Sequence, residues 1–388
     1  MAENRQDLRK FVAPEFVFGE GAGQLAGQHV ANLSARKVLL VTDQGLMNTP
    51  WPKTVMDSLG ESGIQFELFA DIRPNPRETE VMAGAEAFRE CDCEAIVAVG
   101  GGSAMDCAKG IGIVCTNNRH ILEFEGADMV PLPGPPLVCV PTTSGSAADV
   151  SQFCIITDTA RKLKIAIVSK TMVPDVSLID PQMTTTMSRD LTAHTGLDTL
   201  THAVESFVSN ATSPFTELHS LEAVRYVAAH LEKAIEEPLN MEARRGMSLA
   251  TTYAGLAFSN AILGAVHAMS HSLGGLLDLP HGLCNAILLD HVIEYNFSAA
   301  PERYAKLAEA LGAKMDPAMP QDEMLARTLE AFRSVKERCG VTVTLAELGV
   351  SPGDIRELAA SAMKDPCMLT NPRQVAADEL EKVYDQAR

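Results

Sequence analysis

The chain predicts two dissimilar halves, an α/β N-terminal domain over residues 1–187 and an all-helical C-terminal domain over residues 188–388. Three observations carry this. Short, wholly apolar runs alternate with helical stretches as far as Ile179, the pattern of a parallel sheet covered on both faces. One of those runs leads directly into Gly100-Gly101-Gly102-Ser103, a glycine turn from strand to helix of the Rossmann-like α/β kind. Beyond about Thr186 the strand signals stop, and Ala/Leu/Met-rich segments follow one another to the end.

The elements follow in order. Phe11–Phe18 alternates weakly and reads as a strand, broken by Gly19, Gly21 and Gly23, with a short helix to about Leu33. Lys37–Thr42 is a buried strand ending at Asp43; a helix, the strand Gln65–Phe69 and the turn Pro74-Asn75-Pro76 come next. A helix from about Arg77 to Glu90 leads to the strand Ala95–Val99. Further strands are expected at Leu137–Val140, Lys164–Val168 and Val176–Ile179, closed by Asp180-Pro181. The helical half is expected to hold helices at 192–209, 214–236, 240–261, 262–278, 283–294, 301–312, 321–338, 354–363 and 376–388.

Composition excludes several classes. At 388 residues with 46% hydrophobic side chains, the chain can bury two large cores. A formal net charge of −18 argues against nucleic acid or an anionic membrane surface as a partner. No apolar run approaches the length of about 18 residues needed to span a bilayer. The first residues lack the apolar core of a signal peptide, so a cytoplasmic protein is expected. Nine cysteines show no CxxC and no regular framework, as for reduced, buried thiols; Cys91-x-Cys93 is read as incidental.

The segment Asp198–His281 holds the densest chemistry. Asp198-x3-His202 and His267-x3-His271 are i,i+4 pairs, each on one helix face, and His281 follows in the turn-like break Leu279-Pro280-His281-Gly282. Imidazoles with one carboxylate make an N3O set for a divalent ion of the iron or zinc kind. A lone histidine on an apolar helix face is usually a satisfied core or surface residue, so the case rests on the grouping. There is no HExxH.

Two loops point to a bound ligand, the first of them to an anionic one. Gly100–Gly102 lets a backbone approach a phosphate, with the following helix dipole favouring the anion. The run is neither GxGxxG nor a Walker A loop, and Ser103 can instead simply cap the helix. Pro141-Thr142-Thr143-Ser144-Gly145-Ser146 puts hydroxyls at a strand's C-terminal end, where open α/β sheets bind ligands; the alternative is a turn that satisfies its own backbone.

Taken together, these motifs resemble the iron-containing (group III) alcohol dehydrogenases over essentially the whole length. The matching elements are Gly100–Asp106, Pro141–Gly145, His281-Gly-x-x-Asn285-Ala286 and Asn371-Pro372-Arg373. The resemblance implies a dehydroquinate synthase-like fold with the active site in the cleft between the domains. It implies Asp198, His202, His267 and His281 as ligands of Fe(II), with zinc the alternative. It implies NAD(H) held by Asp43, Asn75, Gly101, Gly102, Ser103, Asp106, Thr142, Thr143, Ser146 and Lys164. His271 and Asp106 are the implied catalytic residues, with a packing role the alternative for His271, and Phe153, Phe258 and Cys367 line the implied substrate pocket. The chain departs from the family at Ser146-Ala147-Ala148-Asp149, where Thr-Gly-Ser-Glu is usual, and at Asp290, where proline is usual.

The activity expected is reversible hydride transfer between NAD(H) and a short-chain primary alcohol, diol or aldehyde. The alternatives are a glycerol dehydrogenase-like polyol enzyme or a catalytically weak regulatory homologue. Asp43 ends the first nucleotide-domain strand, where a carboxylate favours NAD over NADP; capping of the next turn is the other reading. A homodimer or larger homo-oligomer is expected, built by pairing the edge strand Phe11–Phe18 with its copy; pairing within its own chain is the alternative.

Overall fold

The computed structural model describes residues 10–316 and 318–388. The α/β part runs β1 (Glu15–Phe18), α1 (Ala26–Asn32), β2 (Lys37–Val41), α2 (Trp51–Glu61), β3 (Gln65–Phe69), α3 (Glu78–Glu90), β4 (Ala95–Gly100) and α4 (Gly102–Asn117). It continues with β5 (Gly126–Ala127), β6 (Leu137–Pro141), β7 (Phe153–Asp158), β8 (Leu163–Val168) and β9 (Val176–Ile179). Helices follow: α5 (Arg189–Val208), α6 (Pro214–Glu236), α7 (Met241–Ala261), α8 (Ala265–Leu277), α9 (His281–Asn296), α10 (Pro301–Ala310), α11 (Gln321–Arg338), α12 (Ile355–Ala362) and α13 (Ala377–Gln386). Among the described residues, no single helix is long and apolar enough to cross a membrane; α7 and α8 pass that test only as a pair, bent by 98°.

Six strands form one parallel sheet in the order β1-β9-β6-β4-β2-β3. The wholly apolar runs are explained by their two buried faces. Leu39, Val41, Ile96 and Ala98 pack with Val81, Ala85 and Ile111 of α3 and α4, while Val38, Leu40, Val97 and Val99 pack with Val30, Val55 and Leu59 of α1 and α2. Register fixes the site: Gly100 stands beside Pro141 and Val41 beside Ala98, so the segments after β2, β4 and β6 emerge at one edge. The helical part has its own core, in which Leu200, Val204 and Phe207 of α5 meet Val224 and Val227 of α6 and Ala250 and Ala254 of α7.

Three expectations are corrected. The strand at the N-terminus begins at Glu15, after Pro14, and pairs with β9 of its own chain, so only its outer edge is open. Val12 is tied to the Asn260 amide instead, through both its N–H and its C=O. A second sheet was not anticipated: β7 and β8 form an antiparallel hairpin, and β5 adds to β8 in parallel. His281 is not in the turn but is the first residue of α9, the break being confined to Asp278–Pro280.

Asp290, where the family usually has proline, now has a physical role. Its buried carboxylate accepts from Arg333 Nε at 2.8 Å and from Lys336 Nζ, clamping α9 to α11. Burial alone would raise its pKa; Lys336 and Arg333 outweigh that and hold it below the usual carboxylate range.

Candidate metal centre and cofactor cleft

Helix α5 starts on Ser188, whose hydroxyl caps Leu191 N at 3.2 Å, and presents Asp198, His202 and Glu205 on one buried stripe. The first turn of α8 is brought against that stripe by Gly264, where a Cβ would lie only 2.9 Å from Glu205 Oε1. Glu205 accepts from Val266 N at 2.7 Å and from His267 Nδ1 at 2.6 Å. It therefore caps α8 and orients His267 with Nδ1–H toward the carboxylate, leaving Nε2 as an acceptor. Asn371 also accepts from α8, at Ala265 N (3.1 Å), which accounts for the late Asn-Pro-Arg element.

His281 is oriented in the same way. Ser270 Oγ directs its proton to the His281 carbonyl (3.2 Å) and accepts from Nδ1 (3.1 Å), again freeing Nε2. The Nε2 atoms of His267 and His281 each lie 3.7 Å from Asp198 Oδ1, and the three atoms fall within 4.8 Å of one another. Asn285 Nδ2 reaches into this convergence, 2.6 Å from Asp198 Oδ1 and 3.1 and 3.2 Å from the two imidazoles. His202 is adjacent rather than convergent: its ring stacks on His267 at 4.5 Å and on Phe258 at 4.3 Å, with Nδ1 buried and unpartnered. Burial drives the pKa of His202 down to about 4, that of His267 to about 3 and that of His281 well below its ordinary value, so the set is neutral at pH 7. Neutral imidazole lone pairs facing one carboxylate are the donor chemistry of a divalent cation site.

His271, one turn on from His267, stacks on His281 at 5.2 Å. Its Nδ1 donates to Asp365 Oδ2 at 2.7 Å. Burial would raise Asp365, but His271 and the Cys367 N–H outweigh it and keep the carboxylate below its ordinary pKa. A cavity of about 370 Å³ opens beside His271, with Arg161, Lys162, Lys164 and Lys364 on its walls. Its lining does not include Phe153, Phe258 or Cys367. Phe258 stands between His202 (4.3 Å) and Phe153 (5.6 Å), whereas Cys367 lies fully buried beside Asp365.

The loops after β4 and β6 come together at the sheet edge, outside the lining of that cavity. Gly101 is the N-cap of α4 and makes no side-chain cap, so Ser103 stands within the first turn and is not the cap. A Cβ on Gly101 would meet Thr143 at 3.1 Å, and one on Gly102 would meet Ser146 Oγ at 2.8 Å. The two loops are packed so closely that a side chain at either glycine would have to displace Thr143 or Ser146, and the amides of the first turn of α4 remain available to an anion. Thr142 N donates to Gly100 O at 2.9 Å, while Ser146 Oγ accepts from Ala148 N at 3.3 Å, so the hydroxyl loop satisfies part of its own backbone.

Ala147 has φ 49°, the left-handed region, which is the reason the family usually has glycine there. The shortened acid Asp149 is buried and accepts from Ser177 Oγ at 2.7 Å. Asp43 uses one oxygen to cap Leu46 N at 2.9 Å, as the alternative reading held, and the other lies beside Gly100. Burial pushes Asp106 up to about 6 against Lys109 and Lys164, and burial also lowers Lys164, whose Nζ donates to Asn75 Oδ1 at 2.7 Å.

Three donor atoms that could hold a metal ion, and two closely packed loops at the ends of β4 and β6, are thus set out by the fold. The family model for iron-containing alcohol dehydrogenase matches residues 13–181, and that for the C-terminal part of the Fe-containing alcohol dehydrogenase family matches residues 192–388. The chain belongs to the iron-containing alcohol dehydrogenase family. It is 40% identical to the 1,3-propanediol dehydrogenase of Citrobacter freundii, over 95% of this chain and 96% of that one. It is 34% identical to the NAD-dependent methanol dehydrogenase of Bacillus methanolicus, over 97% and 99%. The crystal structure of a 1,3-propanediol oxidoreductase superposes with a TM-score of 0.95 at 38% identity, over 98% of this chain and 100% of that one. The chain is thus an oxidoreductase of the alcohol dehydrogenase type with a dehydroquinate synthase-like fold.

Glu205 and Asp365 were not singled out from sequence. Glu205 carried a usable signal, since it lies three and seven residues beyond His202 and Asp198 on the same helical stripe. Asp365 carried none, because its partner His271 is 94 residues away.

Proposed function

We propose that this protein is an NAD(H)- and divalent-metal-dependent alcohol dehydrogenase, working reversibly on a short-chain primary alcohol, diol or aldehyde. The observation that carries the reading is the convergence of Asp198 Oδ1, His267 Nε2 and His281 Nε2 within 4.8 Å, each imidazole pre-oriented by a partner on its other nitrogen. His202, stacked beside the cluster on His267 at 4.5 Å, is proposed as the fourth ligand from family membership. Iron(II) is the ion proposed from family membership, with zinc compatible with the same donors. When bound, the ion supplies Lewis acidity toward an alcohol oxygen and the nicotinamide supplies the hydride acceptor.

The chain's own residues do the rest. The α4 amides and the Gly101–Gly102 cradle receive the cofactor's phosphates, with Ser103, Thr142, Thr143, Ser146, Asn75 and Lys164 around them. His271, held through Nδ1 by Asp365, offers Nε2 for the alcohol proton, and Asp106 lies within its electrostatic reach. The carboxylate of Asp43 favours a free ribose hydroxyl over a phosphate, hence NAD over NADP. The two halves, 1–187 and 188–388, are proposed as separate domains closing on this cleft. Nine free cysteines suit a cytoplasmic, reducing compartment. The outer edge of β1, flanked by exposed Phe11, Phe16, Phe215 and Leu218, supports a homodimer.

The test is turnover of iron-loaded enzyme with NADH against a panel of C2–C4 aldehydes, and with NAD against the matching alcohols and diols. Turnover with several of them is expected. Protein that binds metal and NADH yet turns over none would overturn the catalytic reading in favour of a regulatory homologue.

A further inference from the structure

We propose that Asp278 is a positioning residue, reaching from the helical half of the molecule to set the side chain of Lys164 for the dinucleotide. The inference rests on the reading of Lys164 and Asn75 as cofactor-binding residues, and concerns what aims them.

Asp278 ends α8 in the left-handed region (φ 52°), three residues before His281. Its two oxygens are both used across the cleft. Oδ1 accepts from Asn75 Nδ2 at 2.7 Å, and Oδ2 accepts from Arg77 Nη2 at 3.0 Å. Asn75 is itself held in a left-handed turn (φ 58°) between Pro74 and Pro76, and its carbonyl accepts from Arg77 Nη1 at 3.3 Å. With the backbone fixed, the amide retains one freedom, the interchange of its oxygen and nitrogen. An ionised carboxylate can only accept, so Asp278 draws the NH2 toward itself and turns Oδ1 toward Lys164 Nζ, 2.7 Å away. The opposite orientation would set an N–H against an ammonium.

Lys164 needs this direction. It is buried, and burial lowers its pKa, so its charge depends on oriented acceptors. Along its length it is gripped by α8: a Cβ on Gly274 would stand 2.6 Å from Lys164 Cε, and one on Gly275 would meet the β8 backbone at Leu163 Cα, 2.9 Å away. The pair of glycines brings α8 onto β8, and Asn75 fixes the tip. The chain Arg77–Asp278–Asn75–Lys164 therefore carries orientation from the helix break beside His281 to a cation on the cofactor wall.

The test measures NADH dissociation constants by nicotinamide fluorescence on the iron-loaded full chain, with metal content and melting temperature read on the same samples. Asp278→Gly removes the acceptor without strain at φ 52° and should weaken NADH binding by about three- to tenfold, the worth of one lost orienting hydrogen bond. Its KM for NADH should rise in proportion while kcat stays within about twofold. Asp278→Asn keeps an oxygen that Asn75 can donate to and tolerates the same φ, so it should retain most of the affinity. Wild-type affinity in Asp278→Gly alongside weakened binding in Lys164→Ala would overturn the proposal, as would equal losses in the glycine and asparagine variants. Undiminished binding in Lys164→Ala would instead remove the cofactor reading of that lysine.

Discussion

The donor cluster and the loops proposed to hold the cofactor are built in opposite ways. Asp198, His267 and His281 ride on three buried helices, and each histidine is fixed on its far side by Glu205 or Ser270. The cofactor wall is made of loops at strand ends, with glycines where side chains would collide and Ala147 held in a left-handed conformation. A ligand set needs geometry held within about half an ångström, which packed helices provide; a cofactor that enters and leaves needs access, which loops provide. The lesson is that damage should be abrupt on one side and graded on the other.

The sharpest break is expected at His267. His267→Ala should remove metal and lower activity by about a thousandfold or more, since both depend on the same lone pair. Full metal occupancy in the purified variant, read by elemental analysis, would take His267 out of the ligand set. Next comes Glu205→Gln, which keeps an acceptor for the α8 amides but loses the carboxylate on His267 Nδ1. Metal affinity should fall by about 10- to 100-fold, measured by competition with a chelator; an unchanged affinity would reduce Glu205 to a helix cap.

On the cofactor wall the effects should be gentler. Asp43→Gly should raise activity with NADPH relative to NADH by about tenfold, because a negative charge leaves the ribose side of the cleft. Unchanged preference would mean that the bond from Leu46 N is the whole role of Asp43.

The smallest effect lies outside both walls, in the α9–α11 clamp. Asp290 has a depressed pKa in the folded state, so its contribution is present above the unfolded carboxylate value of about 3.9 and is lost as pH falls through the lower folded value. Asp290→Asn should therefore cost about 1–2 kcal/mol at pH 7, discounted because Arg333 is half exposed, and the gap to wild type should narrow below about pH 4. Denaturant melts at several pH values give the answer, and a gap independent of pH would assign the loss to packing.

Much of this was legible beforehand, for identifiable reasons. Among the described residues, the helices after Thr186 announce themselves by amphipathic periodicity, and the central parallel strands by runs that are apolar on both faces. The β7–β8 hairpin was missed because its turn, Thr159-Ala160-Arg161-Lys162, has no glycine, asparagine or proline; Lys162 takes the left-handed position (φ 51°), and Asp158 caps Arg161 N. Strand β5 has only two residues and pairs with β8, about forty positions away, which no local pattern encodes. Asp198 and His267 stood out through i,i+4 spacing to His202 and His271, and His281 through its place in Leu279–Gly282 and the family resemblance; the structure brings these three donors together. Asp365 and Asp278 did not stand out, because each acquires its meaning from a partner that only the tertiary fold supplies.

The single stripe on α5 has a consequence for how this protein can change over generations. Asp198, His202 and Glu205 depend on one unbroken helical phase, so inserting or deleting one residue between Arg189 and Asp198 shifts all three by about 100° relative to the helix start. Substitutions can be tried there one at a time, but length changes cannot. Insertions and deletions among descendants should therefore collect in connections such as the one between α10 and α11, while the length of α5 stays constant across the lineage.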